Sequence, residues 1–148
     1  MSTFRPADVR ARDATFKTEI TIAPHVLLAD EPKDDGGDDT GPAPHDFLLA
    51  ALGACTSMTL RLYAGKRGIP LTNVQVSLRQ EKVDGVHRFE RTITLEGPLD
   101  EAQRARLLEI AEKCPVHRTL AGKIAIATSL SGHVEANVAE NVAQPEIP

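Results

Sequence analysis

Tryptophan is missing from the 148 residues, and aromatic side chains in general are scarce: four Phe and one Tyr. A core therefore has to be built from Leu, Ile, Val and Ala. Basic clusters are missing too, and the formal net charge is −4. There is thus no phosphate-neutralising stripe of the kind a nucleic-acid binder needs. No segment approaches the roughly 18 consecutive apolar residues that span a membrane. The opening Met1-Ser2-Thr3-Phe4-Arg5-Pro6 lacks the apolar stretch of a secretory signal. A cytoplasmic protein that engages neither nucleic acid nor membrane is the expectation. Repeats and linker-like stretches are lacking as well. One domain is therefore expected over 1–148, with its core at about 15–130 and a polar, loosely held tail at 133–148.

Cysteine is equally scarce, with only Cys55 and Cys114. In a reducing compartment, two cysteines point away from a structural disulfide and toward catalytic, metal-binding or inert thiols. They stand 59 residues apart (114 − 55), so there is no CxxC and no local zinc spacing. A zinc site would have to combine Cys55 and Cys114 with His45 or His117, whereas structural zinc draws on locally spaced pairs. The acidic run Asp34-Asp35-Gly36-Gly37-Asp38-Asp39 lacks the ordered spacing and terminal Glu of an EF-hand and reads as a solvated loop. No metal and no cofactor is expected.

What is present alternates between strand and helix periodicities. Thr15 to Ile22 reads as a strand, with Phe16, Thr18, Ile20 and Ile22 on one side. Pro24 interrupts it, and Val26 to Ala29 resumes as a second short strand. A loop ends at Gly41-Pro42-Ala43-Pro44. Leu48, Leu52, Cys55, Thr59 and Leu62 then recur at steps of four and three, one face of a long helix closed by Gly68 and Pro70. Val74, Val76 and Leu78 alternate with polar residues. Asp84-Gly85 has hairpin-turn chemistry, and the returning strand carries Phe89, Ile93 and Leu95. Arg91 falls on the apolar side of that strand, which predicts a bulge or an edge there. Leu99-Asp100-Glu101 opens a second helix whose face runs Gln103, Leu107, Ile110, Cys114. Pro115 breaks it and starts a fresh short helix with Cys114 at the N-cap. Ile124 to Leu130 makes a last strand. The order is that of an α+β fold with antiparallel pairing, not of a parallel sheet.

The residues leave the cysteines with two readings. Each can be a buried small hydrophobe. Alternatively, Cys114, at a helix start beside Lys113, His117 and Arg118, has the setting that lowers a thiol pKa and favours chemistry. Gly53 fits either close packing against a neighbouring element or room for substrate near Cys55.

The stretch Gly41-Pro42-Ala43-Pro44-His45-Asp46-Phe47-Leu48-Leu49-Ala50-Ala51-Leu52-Gly53-Ala54-Cys55-Thr56-Ser57-Met58-Thr59-Leu60 resembles the central helix of the OsmC/Ohr family. Cys114-Pro115-Val116-His117 resembles that family's second cysteine motif, and the match in spacing and element order runs from about Thr15 to Leu130. The resemblance implies an intertwined homodimer in which a six-stranded antiparallel sheet wraps two central helices, with active sites at the subunit interface. It implies a thiol-dependent peroxidase acting on organic hydroperoxides. Cys55 would be the peroxidatic thiolate and Cys114 the resolving thiol, with an external dithiol, a lipoylated or thioredoxin-like protein, as reductant.

One position departs from the family's pattern. Members carry a glutamate ten residues before the first cysteine, paired with an arginine; here that place (55 − 10 = 45) holds His45, followed by Asp46. Asp46 can take the carboxylate role, or His45 can act as base or hydrogen-bond partner. Packing at the helix entry beside Pro44 is the alternative for His45. Lys17 and Arg118 are candidates by location for the activating cation, each also readable as a solvated surface charge. Two further readings keep the fold without peroxide turnover: a small-ligand binder or redox sensor, and a regulator acting through mixed disulfides.

Overall fold

The computed structural model describes residues 4–12 and 15–131, and the expected polar tail at 133–148 lies outside them. The described elements are β1 (Asp8–Ala11), β2 (Thr18–Ile22), β3 (His25–Ala29), α1 (Pro44–Arg67), β4 (Asn73–Val83), β5 (Val86–Glu96), α2 (Glu101–Ala111) and α3 (Pro115–Ala121). A 3-10 turn spans Lys33–Asp35. All strand pairings are antiparallel, in a three-stranded sheet ordered β1-β2-β3 and a two-stranded sheet β4-β5. This is the expected α+β class.

Helix α1 starts where Pro44 can occupy its first turn without losing a needed N–H. The Asp46 carboxylate accepts the Ala43 N–H at 2.9 Å. The helix ends at Gly68, which takes the left-handed conformation (φ 63°) that favours glycine. Helix α2 opens on a reciprocal cap: Asp100 accepts the Gln103 N–H at 2.7 Å, and the Gln103 side chain accepts the Asp100 N–H at 3.0 Å. Between β4 and β5 the chain reverses at Asp84-Gly85, both at positive φ (50° and 80°), the geometry of a two-residue hairpin loop.

The core lies where α1 crosses α2. Leu60 and Ala64 pack on Leu107, Ile110 and Ala111, with Val74, Ile93 and Leu95 from the inner face of the β4–β5 hairpin closing over them. Gly53 eases the approach of α1 to that hairpin: a Cβ there would meet Leu78 Cδ1 at 2.8 Å, and that side-chain end would have to shift. Close packing is therefore one reason for this glycine.

Five expectations change. The buried face of α1 is Leu52, Thr56, Leu60 and Ala64, while Leu48 and Leu62 are exposed. The helix is apolar on nearly every side, so spacing alone could not choose its face. By length and mean hydropathy (1.4 over its best window) α1 could even cross a membrane; its packing on β4, α2 and α3 makes it the helix around which the domain is built. Strand β1 pairs with β2 although its four residues are all exposed, which leaves no alternation to read. No bulge forms at Arg91, because the β4–β5 register runs unbroken through Leu78↔Arg91. Finally, residues 124–130 form no strand. An extended segment becomes a strand only when another backbone supplies its ladder. None pairs with this one, and Ile126 and Leu130 stand about four-fifths exposed (81% and 82%). A continuous six-stranded sheet is accordingly not formed within the described residues.

Candidate active site

Cys55 sits in the fourth turn of α1, partly exposed, and Cys114 caps α3, fully buried. The sequence reading of Cys114 as an N-cap holds: its carbonyl accepts the Arg118 N–H at 3.1 Å, and Pro115 opens the helix. The fold brings the two thiols, 59 positions apart, close enough for each to shift the other's pKa, and they are not joined as a disulfide.

Their surroundings are unequal. Burial raises the Cys55 pKa, and so does the bond to Cys114; the Val116 N–H and the Thr59 hydroxyl offset this only in part. Burial would raise Cys114 as well, but its donors outweigh it. These are the Cys55 thiol, the His117 N–H, the Thr56 hydroxyl and the Val116 N–H, and together they bring Cys114 below the ordinary thiol value. Of the two thiols, Cys114 is therefore the more readily deprotonated.

Behind Cys114 lies a cation that sequence reasoning missed. Arg91 extends from the inner face of β5 with its side chain only 9% exposed. Its Nη1 donates to Thr56 Oγ1 at 2.9 Å and its Nη2 to Glu112 Oε1 at 2.9 Å. The same Nη2 lies 3.4 Å from His117 Nδ1, and His117 Nε2 lies 3.5 Å from Glu112 Oε2. Arg91 on the apolar side of its strand was the available signal: a charge on an inward position marks a buried cation with partners. Thr56 carried a weaker one, since it follows Cys55 directly.

The other candidates lie elsewhere. His45 and Asp46 belong to the first turn of α1, nine or ten residues from Cys55 on one continuous helix, which is about 14–15 Å along its axis. Asp46 caps the helix, and the exposed His45 ring stacks on His87 with centroids 5.6 Å apart. The structure does not bring either to the cysteines within the chain. Lys17 precedes β2 in the other sheet, and Arg118 is exposed on α3. Among the described residues no three His, Cys, Asp or Glu side chains converge as metal ligands would. A shallow groove of about 410 Å³ runs between α1 (Leu49, Gly53, Ser57) and β4 (Val76, Leu78).

The fold agrees with comparisons to known proteins. The fold matches the OsmC-like protein of Mycoplasma pneumoniae at 18% identity and a TM-score of 0.71, over 82% of this chain and 90% of that one. It also matches the organic hydroperoxide resistance protein OsmC of Legionella pneumophila (18% identity, TM-score 0.59, 82% and 93% covered). A third match is the organic hydroperoxide resistance protein OhrB of Bacillus subtilis (23%, 0.55, 79% and 91%). No curated protein sequence matches the chain. The sequence profile of the OsmC-like proteins matches residues 36–129, which takes in both cysteines, and on that match the chain belongs to the OsmC family.

Proposed function

We propose that this chain is a thiol-dependent peroxidase that reduces organic hydroperoxides through a two-cysteine cycle, working as a homodimer of single-domain chains. The observation that carries the reading is a neighbouring, unlinked pair of thiols, one partly exposed and one buried. Names of structural relatives such as the Legionella and Bacillus proteins support the substrate class.

Cys55, the exposed member, attacks the terminal oxygen of the hydroperoxide while its proton passes to Cys114. The O–O bond breaks, the alkoxide leaves and takes up that proton as alcohol, and Cys55 becomes a sulfenic acid. The Cys114 thiolate then attacks the Cys55 sulfur, forming the S–S bond and expelling hydroxide, which takes a proton from solvent and leaves as water. An external dithiol, lipoylated or thioredoxin-like, returns both cysteines to thiols by exchange and is itself oxidised to a disulfide.

The unpartnered segment 124–130 and the apolar side chains exposed on α1, Met58 and Leu62 among them, support a second copy as the cover for both. A role for His45 or Asp46 in activating a thiol would have to be exerted from that neighbouring chain. Expected results are that Cys55→Ser abolishes dithiol-dependent consumption of cumene hydroperoxide and that Cys114→Ser leaves a trappable sulfenic acid. Turnover that survives Cys55→Ser would refute the mechanism. The groove between α1 and β4 favours a second reading, a binder of small apolar ligands with the cysteines as sensor. A ligand retained in native mass spectrometry, with no peroxide-induced disulfide, would select it.

A further inference from the structure

The sequence has no basic run, yet the fold gathers cations around the chain's one tyrosine. Tyr63 packs its ring against the core of Leu60 and Leu107, which fixes it, and its hydroxyl lies among exposed side chains. Arg106 on α2 donates its Nε to that hydroxyl at 2.9 Å. Arg67, one helical turn beyond Tyr63 on α1, lies over the ring with its guanidinium carbon 5.7 Å from the centre, and the Arg106 carbon lies at 5.6 Å. The Arg106 bond leads in holding the Tyr63 pKa below its ordinary value, against the opposing effect of desolvation, and the charges of Arg67 and Lys113 add to it.

This cluster is short of negative charge. Glu109 takes Arg106 Nη1 at 2.7 Å. Among the described residues Arg106 Nη2 has no partner, and Arg67 and Lys113 have no ion pair. Three cations against one carboxylate leave two positive charges in excess, on a chain whose formal net charge is −4. The phenol adds a donor. Its oxygen accepts from Arg106, and no acceptor among the described residues takes its proton, which is left to be donated outward.

We propose that Tyr63, Arg67 and Arg106, with Lys113 beside them, form a binding site for the phosphate group of a small molecule. A phosphate carries close to two charges at neutral pH, which matches the excess. Its oxygens can take the phenol proton, Arg106 Nη2 and the Arg67 fork together. A carboxylate has one charge and two oxygens, and Glu109 already supplies one to Arg106. Tyr63 lies eight residues beyond Cys55 on α1, about 12 Å along the axis, so the inference stands whether or not the cysteines reduce peroxide. The competing account makes these cations a solvated surface that only covers the tyrosine ring.

Calorimetry on the intact chain, at an ionic strength held constant with chloride, separates the two accounts. Inorganic phosphate and glycerol phosphate are the probes. At least one should bind saturably, and the tighter tells whether the source is free phosphate or a phosphate monoester. Acetate should bind about tenfold more weakly, the scale of one lost bond between charged groups. Arg67→Gln should weaken phosphate binding about tenfold and Tyr63→Phe, which keeps the ring, about fivefold. Arg79→Gln removes the same charge from β4, where the Arg79 side chain is 87% exposed, and should leave binding unchanged. Tyr63 is the only tyrosine, so ultraviolet absorbance reads its ionisation alone. Phosphate accepting the phenol proton favours the neutral form and should raise that midpoint. The proposal is overturned if neither phosphate probe binds saturably, if acetate binds as tightly, or if Arg67→Gln and Arg79→Gln weaken binding equally in folded protein.

Discussion

The hairpin-and-helix half of the molecule and the three-stranded sheet differ in how they are held. In the first, Leu60, Leu107 and Ala111 have no exposed surface at all, and α1, α2 and the β4–β5 hairpin cover one another. In the second, Val9 and Val26 are each 60% exposed, and only Ala29 of the three strands is buried. Backbone ladders and a few side-chain bonds hold the sheet: Arg12 reaches both Glu19 oxygens at 2.9 Å, and the loop after β3 is gathered on Asp30. One half of the chain is stabilised by its own core, and the other by backbone ladders and surface bonds.

The largest effect that would sharpen this contrast is in the core. Leu107→Ala should destabilise the protein by about 2–5 kcal/mol, the range for emptying a closely packed leucine site. Urea unfolding measures it, and a loss below about 1 kcal/mol would show the site collapsing or the core being shared differently.

The next test is acid. The Thr40 hydroxyl donates to the Asp30 carboxylate at 2.7 Å, and the Thr40 and Glu31 N–H groups add to it. Led by the Thr40 hydroxyl, and against the opposing effect of burial, these bonds hold the Asp30 pKa below its ordinary value of 3.8. The unfolded chain therefore binds this proton first. The stabilisation is present above the ordinary carboxylate range and is lost as pH falls through the lowered native value. Unfolding curves of the parent protein and of Asp30→Asn, compared between about pH 6 and pH 2, should converge at the acid end. Curves that stay parallel would remove Asp30 from the acid response.

The smallest effect is expected at Leu27 on β3, which is 42% exposed. In dilute protein Leu27→Ala should cost under about 1 kcal/mol. A cost that grows with protein concentration would show that a second copy covers this sheet, since association stabilises only the folded state.

Parts of this architecture are legible residue by residue. Of the face read as Gln103, Leu107, Ile110 and Cys114, Leu107 and Ile110 are buried on α2 and Cys114 is buried just beyond it, while Gln103 stays partly exposed. Asp84-Gly85 and Cys114-Pro115 act through local chemistry, a positive-φ turn and a helix start, and need no distant partner to be read. The face of α1 is different, since its Leu and Ala residues ring the helix and the neighbours decide which side is buried. For Arg91, alternation placed it inward; of the two readings offered, a bulge or an edge, no bulge forms, and β5 is an edge of its two-stranded sheet. Its partners Thr56 and Glu112 come from elements 35 and 21 positions away.

By itself the sequence determined the order from β2 to α3, both ends of α1, the start of α2, the Asp84-Gly85 turn, and the placement of one cysteine within a helix and the other at a helix start. Each of these follows from periodicity or from backbone chemistry within a few residues. Only the tertiary structure decided that the thiols meet, that Cys114 is the more acidic of the two, and that Arg91 stands behind it. Those outcomes depend on which faces pack and on how many donors converge on one buried atom. A packed interior sets such quantities between residues that the chain keeps far apart.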